Sequence, residues 1–172
     1  MFPKSRTENH STQPWAVFIL MCLPDPISVL RQLSQLVRPG GVVAFQEPHW
    51  VPVLSLLAPL ILWSAAASLI HKTFQQSGAN PELGPALYRA FQEAGLPGPT
   101  MRLEMPMGKD PDTARWFSDI ICTLRPQIEQ FNLPVDSLGK PRYAFREASS
   151  RGYSIEQRFC LAGPVGAWVR KS

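Results

Sequence analysis

Hydrophobic positions fall along the chain in two periods. Residues Trp15 to Leu23, WAVFILMCL, are continuously apolar, the pattern of a strand covered on both faces in a parallel sheet; a short buried helix would read the same. After Leu23-Pro24-Asp25-Pro26 the period changes. Ile27, Leu30, Leu33, Leu36 and Val37 recur at helical steps on one face, while Arg31, Gln32, Ser34 and Gln35 fall mostly elsewhere. Asp25 can accept from the first free helical N–H groups and Pro26 brings a preset φ, so a helix is predicted to begin there. Pro39 stops it, Gly40 and Gly41 accept the positive φ of a sharp reversal, and Val42 to Phe45 form the next strand. Helix, tight turn and buried strand make the second half of a βαβ unit.

Downstream the elements alternate in the same way. Val51 to Ile70, VPVLSLLAPLILWSAAASLI, carries no charge and is long enough to span a membrane. Pro52 and Pro59 interrupt it, serines dilute it, and no Lys/Arg asymmetry flanks it, so a buried helical hairpin or cap is the preferred reading over a membrane span. Asn80 is read as the cap of a helix running through Leu87, Phe91 and Ala94 to Gly95, with Gly84-Pro85 delaying its start. Thr100 to Met105 alternates as a half-exposed strand. Asp110-Pro111 opens a helix with Trp116, Ile120, Ile121, Leu124 and Ile128 inward and a kink at Pro126. Residues 136 to 152 are weakly helical, and Ser154 to Val169 holds the last strand, broken or bulged near Gly163-Pro164. The pattern as a whole is α/β with an added helical region.

Composition narrows the classes of function. A chain of 172 residues with 45% hydrophobic content is one ordinary domain with a core. Its net charge of +4 is spread without a basic stripe interleaved with aromatics, which argues against a nucleic-acid partner. Cys22, Cys122 and Cys160 are odd in number and lack metal-type spacing, as expected of reduced thiols in a cytoplasmic protein with no metal centre. The opening MFPKSRTENHSTQP has no apolar segment of signal-peptide type.

Several short motifs, in order, carry a family likeness. Leu20-Met21-Cys22-Leu23-Pro24-Asp25-Pro26, the helix end Leu36-Val37-Arg38-Pro39-Gly40-Gly41 and the strand end Gln46-Glu47-Pro48 resemble the middle of class I S-adenosylmethionine-dependent methyltransferases. Gly78-Ala79-Asn80-Pro81, Leu83-Gly84, Ala94-Gly95-Leu96 and Val165-Gly166-Ala167-Trp168 are similar to later landmarks of the small-molecule type, so the likeness covers residues 18 to 171.

The resemblance implies a doubly wound, Rossmann-like sheet of roughly seven mostly parallel strands, with S-adenosylmethionine across their carboxyl ends and a small-molecule acceptor beside it. The Gly-rich turn and acidic strand end that hold the cofactor in the family have no counterpart here, and Gly40-Gly41 leads from helix to strand rather than the reverse. The expected fold is therefore a partial sheet, the C-terminal half of such a domain with a helical cap. Residues 1 to 14 read as an unmatched, disordered leader and residues 15 to 172 as a methyltransferase-like domain lacking the N-terminal cofactor-binding half. The first strand would then present an open edge, which predicts self-association or docking with a separate N-terminal half.

Candidate site residues follow from the same frame. Val17 and Phe18 align with positions that contact the cofactor in the family, though apolar side chains there also suit a core. Glu47 ends a strand at the ligand-binding side of the sheet, where it could orient an acceptor or simply cap the next helix. His49 could serve as base for an acceptor hydroxyl, and Trp50 could line the same mouth. Trp63, His71 and Phe74 lie in the region that covers the acceptor in related enzymes, with core packing as the alternative. No catalytic residue is assigned outright, because methyl transfer mostly needs alignment in a dry site. Two other readings stay open: a non-catalytic remnant or interaction module, and a membrane-associated protein built on residues 51 to 70.

Overall fold

The computed structural model describes residues 15–105, 107–108, 111–135, 138, 159–160 and 163–171. It is an α/β structure centred on a mixed four-stranded sheet in the order β1-β2-β6-β3, where β1 is Trp15–Val17, β2 Val42–His49, β3 Thr100–Leu103 and β6 Gly163–Arg170. β1 runs parallel to β2, and β6 runs antiparallel to both β2 and β3. The first three strands in sequence thus point one way and the last is inserted against them. A separate two-stranded ladder joins β4 (Met107–Gly108) to β5 (Phe159–Cys160).

Helix α1 (Pro26–Gln35) begins as the sequence predicts, with Asp25 Oδ1 accepting from Ser28 N at 3.0 Å. Its end at Arg38-Pro39-Gly40-Gly41 reverses through Gly40 at φ +77, a conformation that costs a side-chain-bearing residue steric strain. β2 then runs beyond the predicted Phe45 to His49. Pro48 is tolerated within it because β1 ends at Val17, opposite Gln46, so no parallel ladder bond is lost there.

Two further expectations are corrected. The apolar run from Trp15 is strand only to Val17; Phe18 turns into the left-handed region at φ 55 and Leu20–Cys22 forms a 3-10 turn. Three donors on this turn find a side-chain carboxylate rather than a neighbouring strand, described below. Asn80 does not cap the following helix: its Oδ1 accepts from Glu82 N at 3.0 Å, closing a turn, and α4 (Leu83–Glu93) starts after Glu82. With Pro85 in its first turn, the helix loses no internal bond. The predicted leader, and the weakly helical 136–152 apart from Leu138, lie outside the described residues.

Two cores result. α1 and α4 cover one face of the sheet around Leu30, Phe45, Leu87 and Phe91, with the rings of Phe45 and Phe91 meeting edge to face at 6.3 Å. α2 (Val51–Leu57), α3 (Ile61–Gln76), α5 (Pro111–Thr123) and α6 (Arg125–Gln130) form a helical cap around Trp50, Val53, Trp63 and Phe117. The uncharged stretch is thus a helix pair turning at Ala58-Pro59-Leu60. Among the described residues no helix is long and apolar enough to cross a membrane. Pro126 breaks the predicted single helix into α5 and α6. Phe74 packs against both cores.

Candidate functional site

Parallel strands bring their carboxyl ends to one edge, where open α/β sheets bind ligands. Three segments meet there: the turn after β1, the end of β2, and the loop leading into α4. They are tied by backbone bonds from Phe18 N to Gln46 O and from Asn80 N to Met21 O, each 2.8 Å. Gly84 permits the third contact. A Cβ at that position would meet Pro48 O at 2.8 Å and Glu47 O at 2.9 Å, so only glycine lets the first turn of α4 rest on the backbone of β2.

Glu47 is fully buried at this junction. Its Oε1 accepts from Ile19 N at 3.2 Å and Leu20 N at 2.9 Å, and its Oε2 accepts from Met21 N at 3.1 Å. Three free N–H groups at the start of a 3-10 turn need acceptors, and one carboxylate supplies them. Burial pushes the carboxyl above its ordinary value, while the bonds from Leu20, Met21 and Ile19 pull part of the way back. Burial and the nearby Glu47 charge also raise the Cys22 thiol. Glu47 therefore stands where the sequence places it, but its oxygens face its own chain.

His49, the last residue of β2, has the chemistry that Glu47 lacks. Its Nδ1 lies 2.7 Å from Glu82 Oε2, and its side chain remains 24% exposed. A neutral imidazole that donates Nδ1–H to a carboxylate presents a basic Nε2. Glu82 collects more than one donor: Trp50 N at 3.2 Å and Val51 N at 3.5 Å from the start of α2, and His71 Nε2 at 3.2 Å from α3. An imidazole, its orienting carboxylate and solvent access occur together at the ligand edge of the sheet.

The other sequence candidates separate. Val17 and Phe18 sit at the carboxyl end of β1, partly open to solvent at 39% and 37%, with Phe18 held in a conformation costing about 1–3 kcal/mol. Trp50 and Trp63 are core: Trp50 stacks with Trp116 at 6.4 Å and Trp63 meets Phe117 edge to face at 5.4 Å. His71 reaches the site through Glu82, whereas Phe74 packs against Trp50 at a 6.4 Å ring separation. Glu82 is the residue that sequence reasoning missed. Its one signal was an acidic residue just before a helix that starts at the ligand edge of the sheet. Among the described residues, no group of His, Cys, Asp and Glu is arranged to hold a metal ion.

The described residues do not form a cradle for S-adenosylmethionine. The link from β1 to α1 holds no glycine, its side chains at Val17 and Phe18 are apolar, and the N–H groups of residues 19 to 21 are already bonded to Glu47.

No family model matches the chain, and no curated protein matches it. Among solved structures, that of the [4+2]-cyclase SpnF is similar over 91% of this chain and 49% of its own, at 13% identity and a TM-score of 0.35. The chain thus spans about half the length of that neighbour, a likeness too slight to assign a function.

Proposed function

We propose that this chain is the acceptor side of a small-molecule methyltransferase-like domain, in which His49 takes the proton from an acceptor hydroxyl. The observation that carries the reading is the His49–Glu82 pair at the carboxyl end of β2. Glu82 fixes the tautomer, Nε2 receives the proton, and the resulting imidazolium has a carboxylate beside it. An acceptor with an ionisable O–H, such as a phenol or enol, suits a base of this kind. Motifs resembling those of class I enzymes, and a sheet whose first three strands are parallel, support the family reading. S-adenosylmethionine would supply an already activated methyl group when bound; the described residues hold no cradle for it.

The partner reading belongs to the same proposal. Among the described strands, β1 pairs only with β2, and an added strand from a second copy or a separate N-terminal half would complete the crevice. A sharp monomer peak in light scattering together with slow amide exchange at residues 15 to 17 would remove it.

The test of function is a titration of ring-labelled histidine with simple phenols, followed by mass spectrometry for methyl ethers after incubation with S-adenosylmethionine. Perturbation of His49 by phenols, and ether formation abolished by His49→Gln, are expected of a working enzyme. Absence of both at millimolar ligand ends the reading. Calorimetric titration with S-adenosylmethionine decides between catalysis and the second reading, a non-catalytic interaction module, which the use of Glu47 to fill the 19–21 turn favours. No heat at millimolar cofactor removes catalysis by this chain alone.

A further inference from the structure

Glu82 is bonded from both sides, and its two oxygens are not equivalent. Oε2 receives His49 Nδ1 at 2.7 Å and the long contact from Val51 N at 3.5 Å. Oε1 receives His71 Nε2 and Trp50 N, each at 3.2 Å. The terminal torsion of a glutamate is broad, so a carboxylate held at one oxygen can rock and present either face to its partner. His71 and the Trp50 amide together remove that freedom, and His71 is the side chain of the two. It is less exposed than either partner, its side chain being 14% open, and its ring lies 6.4 Å from that of Trp50, which is packed in the cap core.

We infer that His71 is a positioning residue for His49: by bonding Glu82 Oε1 beside the Trp50 amide it steadies the carboxylate that selects the Nδ1–H tautomer of the base. This rests on reading His49 as that base. It adds a link between two parts of the molecule, since His71 belongs to α3 of the cap whereas His49 ends β2 of the sheet. Seating of α3 against the loop before α4 thereby sets the direction in which His49 Nε2 is offered.

The experiment is a long-range proton–nitrogen correlation spectrum of the histidine-labelled full chain at about pH 8.5, where an ordinary imidazole is neutral. In the unsubstituted protein, His49 is expected to show a protonated Nδ1 and a bare Nε2. His71→Phe keeps a ring against Trp50 but withdraws the donor, and is expected to erode the His49 tautomer preference by about three- to tenfold, the worth of one such bond. His71→Gln, whose amide N–H can reach Oε1, is expected to restore it. A folded His71→Phe protein with an unchanged His49 pattern overturns the inference. Should that variant not fold, His71→Asn, too short to reach Glu82 without adding bulk, gives the same reading from the same spectrum. The signature is independent of methyl transfer: a shifted tautomer without any product would end the proposed function and leave this link standing.

Discussion

The layer of α1 and α4 on the sheet and the cap of α2, α3, α5 and α6 begin and end their helices by different means. α1 is opened by a side-chain cap at Asp25, and the carbonyls of Ser34 near its end and Val37 just past it receive Lys171 Nζ at 3.0 and 2.9 Å. α4 ends in a bond from Leu96 N back to Phe91 O, with Gly95 in the left-handed region. In the cap, α3 and α6 have no side-chain cap bond at their starts, and the first N–H groups of α2 find their acceptor in Glu82, outside the cap. Their positions follow from aromatic packing around Trp50, Trp63 and Phe117. Hydrogen bonds at helix ends, near and distant in sequence, mark one region and aromatic packing the other, and Glu82 is where the two are joined.

The sharpest break of that comparison is to empty each core in turn. Trp50→Ala in the cap and Phe91→Ala in the sheet layer are each expected to cost about 3–5 kcal/mol. Urea unfolding followed by tryptophan fluorescence and by far-ultraviolet dichroism then shows whether the regions melt together. Coincident curves in both variants are expected from the shared contacts of Phe74 and Glu82; curves that separate only in Trp50→Ala would make the cap an independent unit.

Next in size is Glu47→Ala, which strands three backbone donors and is expected to cost about 3 kcal/mol by urea unfolding, with Glu47→Gln costing less. The same residue gives a pH test. Burial raises the folded carboxyl above the ordinary 4.5, so between the two values the native state binds the proton that the unfolded state has released. The stability from this group is complete below the ordinary carboxylate range and is lost as pH rises through the raised native value. Unfolding midpoints measured across that range should lose this slope in Glu47→Gln.

Smaller effects are expected at the joints. Gly84→Ala sets a methyl group against Pro48 O and Val165 Cγ2, both at 2.8 Å, and is expected to cost about 1–3 kcal/mol in thermal unfolding. Asp25→Ala removes one cap bond, and about 1 kcal/mol should be lost, confined to faster amide exchange in the first turn of α1.

The same contrast explains what could be read from the sequence. Asp25-Pro26 and Pro39-Gly40-Gly41 announce α1 and its reversal because their residues satisfy or release nearby backbone groups. The end of β1 was hidden because Phe18 turns under the hold of Glu47, which lies 28 residues from the Ile19 amide it receives. His49 could be named as a base from its place after a strand, but its acid could not: Glu82 is 33 residues away and reaches it only after α4 docks on β2. Within residues 51 to 70 the break at Ala58-Pro59-Leu60 was legible from Pro59, whereas Pro52 falls in the first turn of α2 and interrupts nothing.

The absence of a side chain at Gly84 acts as a gauge for this junction of loops. Because the tip of α4 rests on the carbonyls of Glu47 and Pro48, the reach from one loop to the other is set by bare main chain, with no rotamer in between. Any added atom would work as a shim, widening the gap between carboxylate and imidazole before it disturbed either of them.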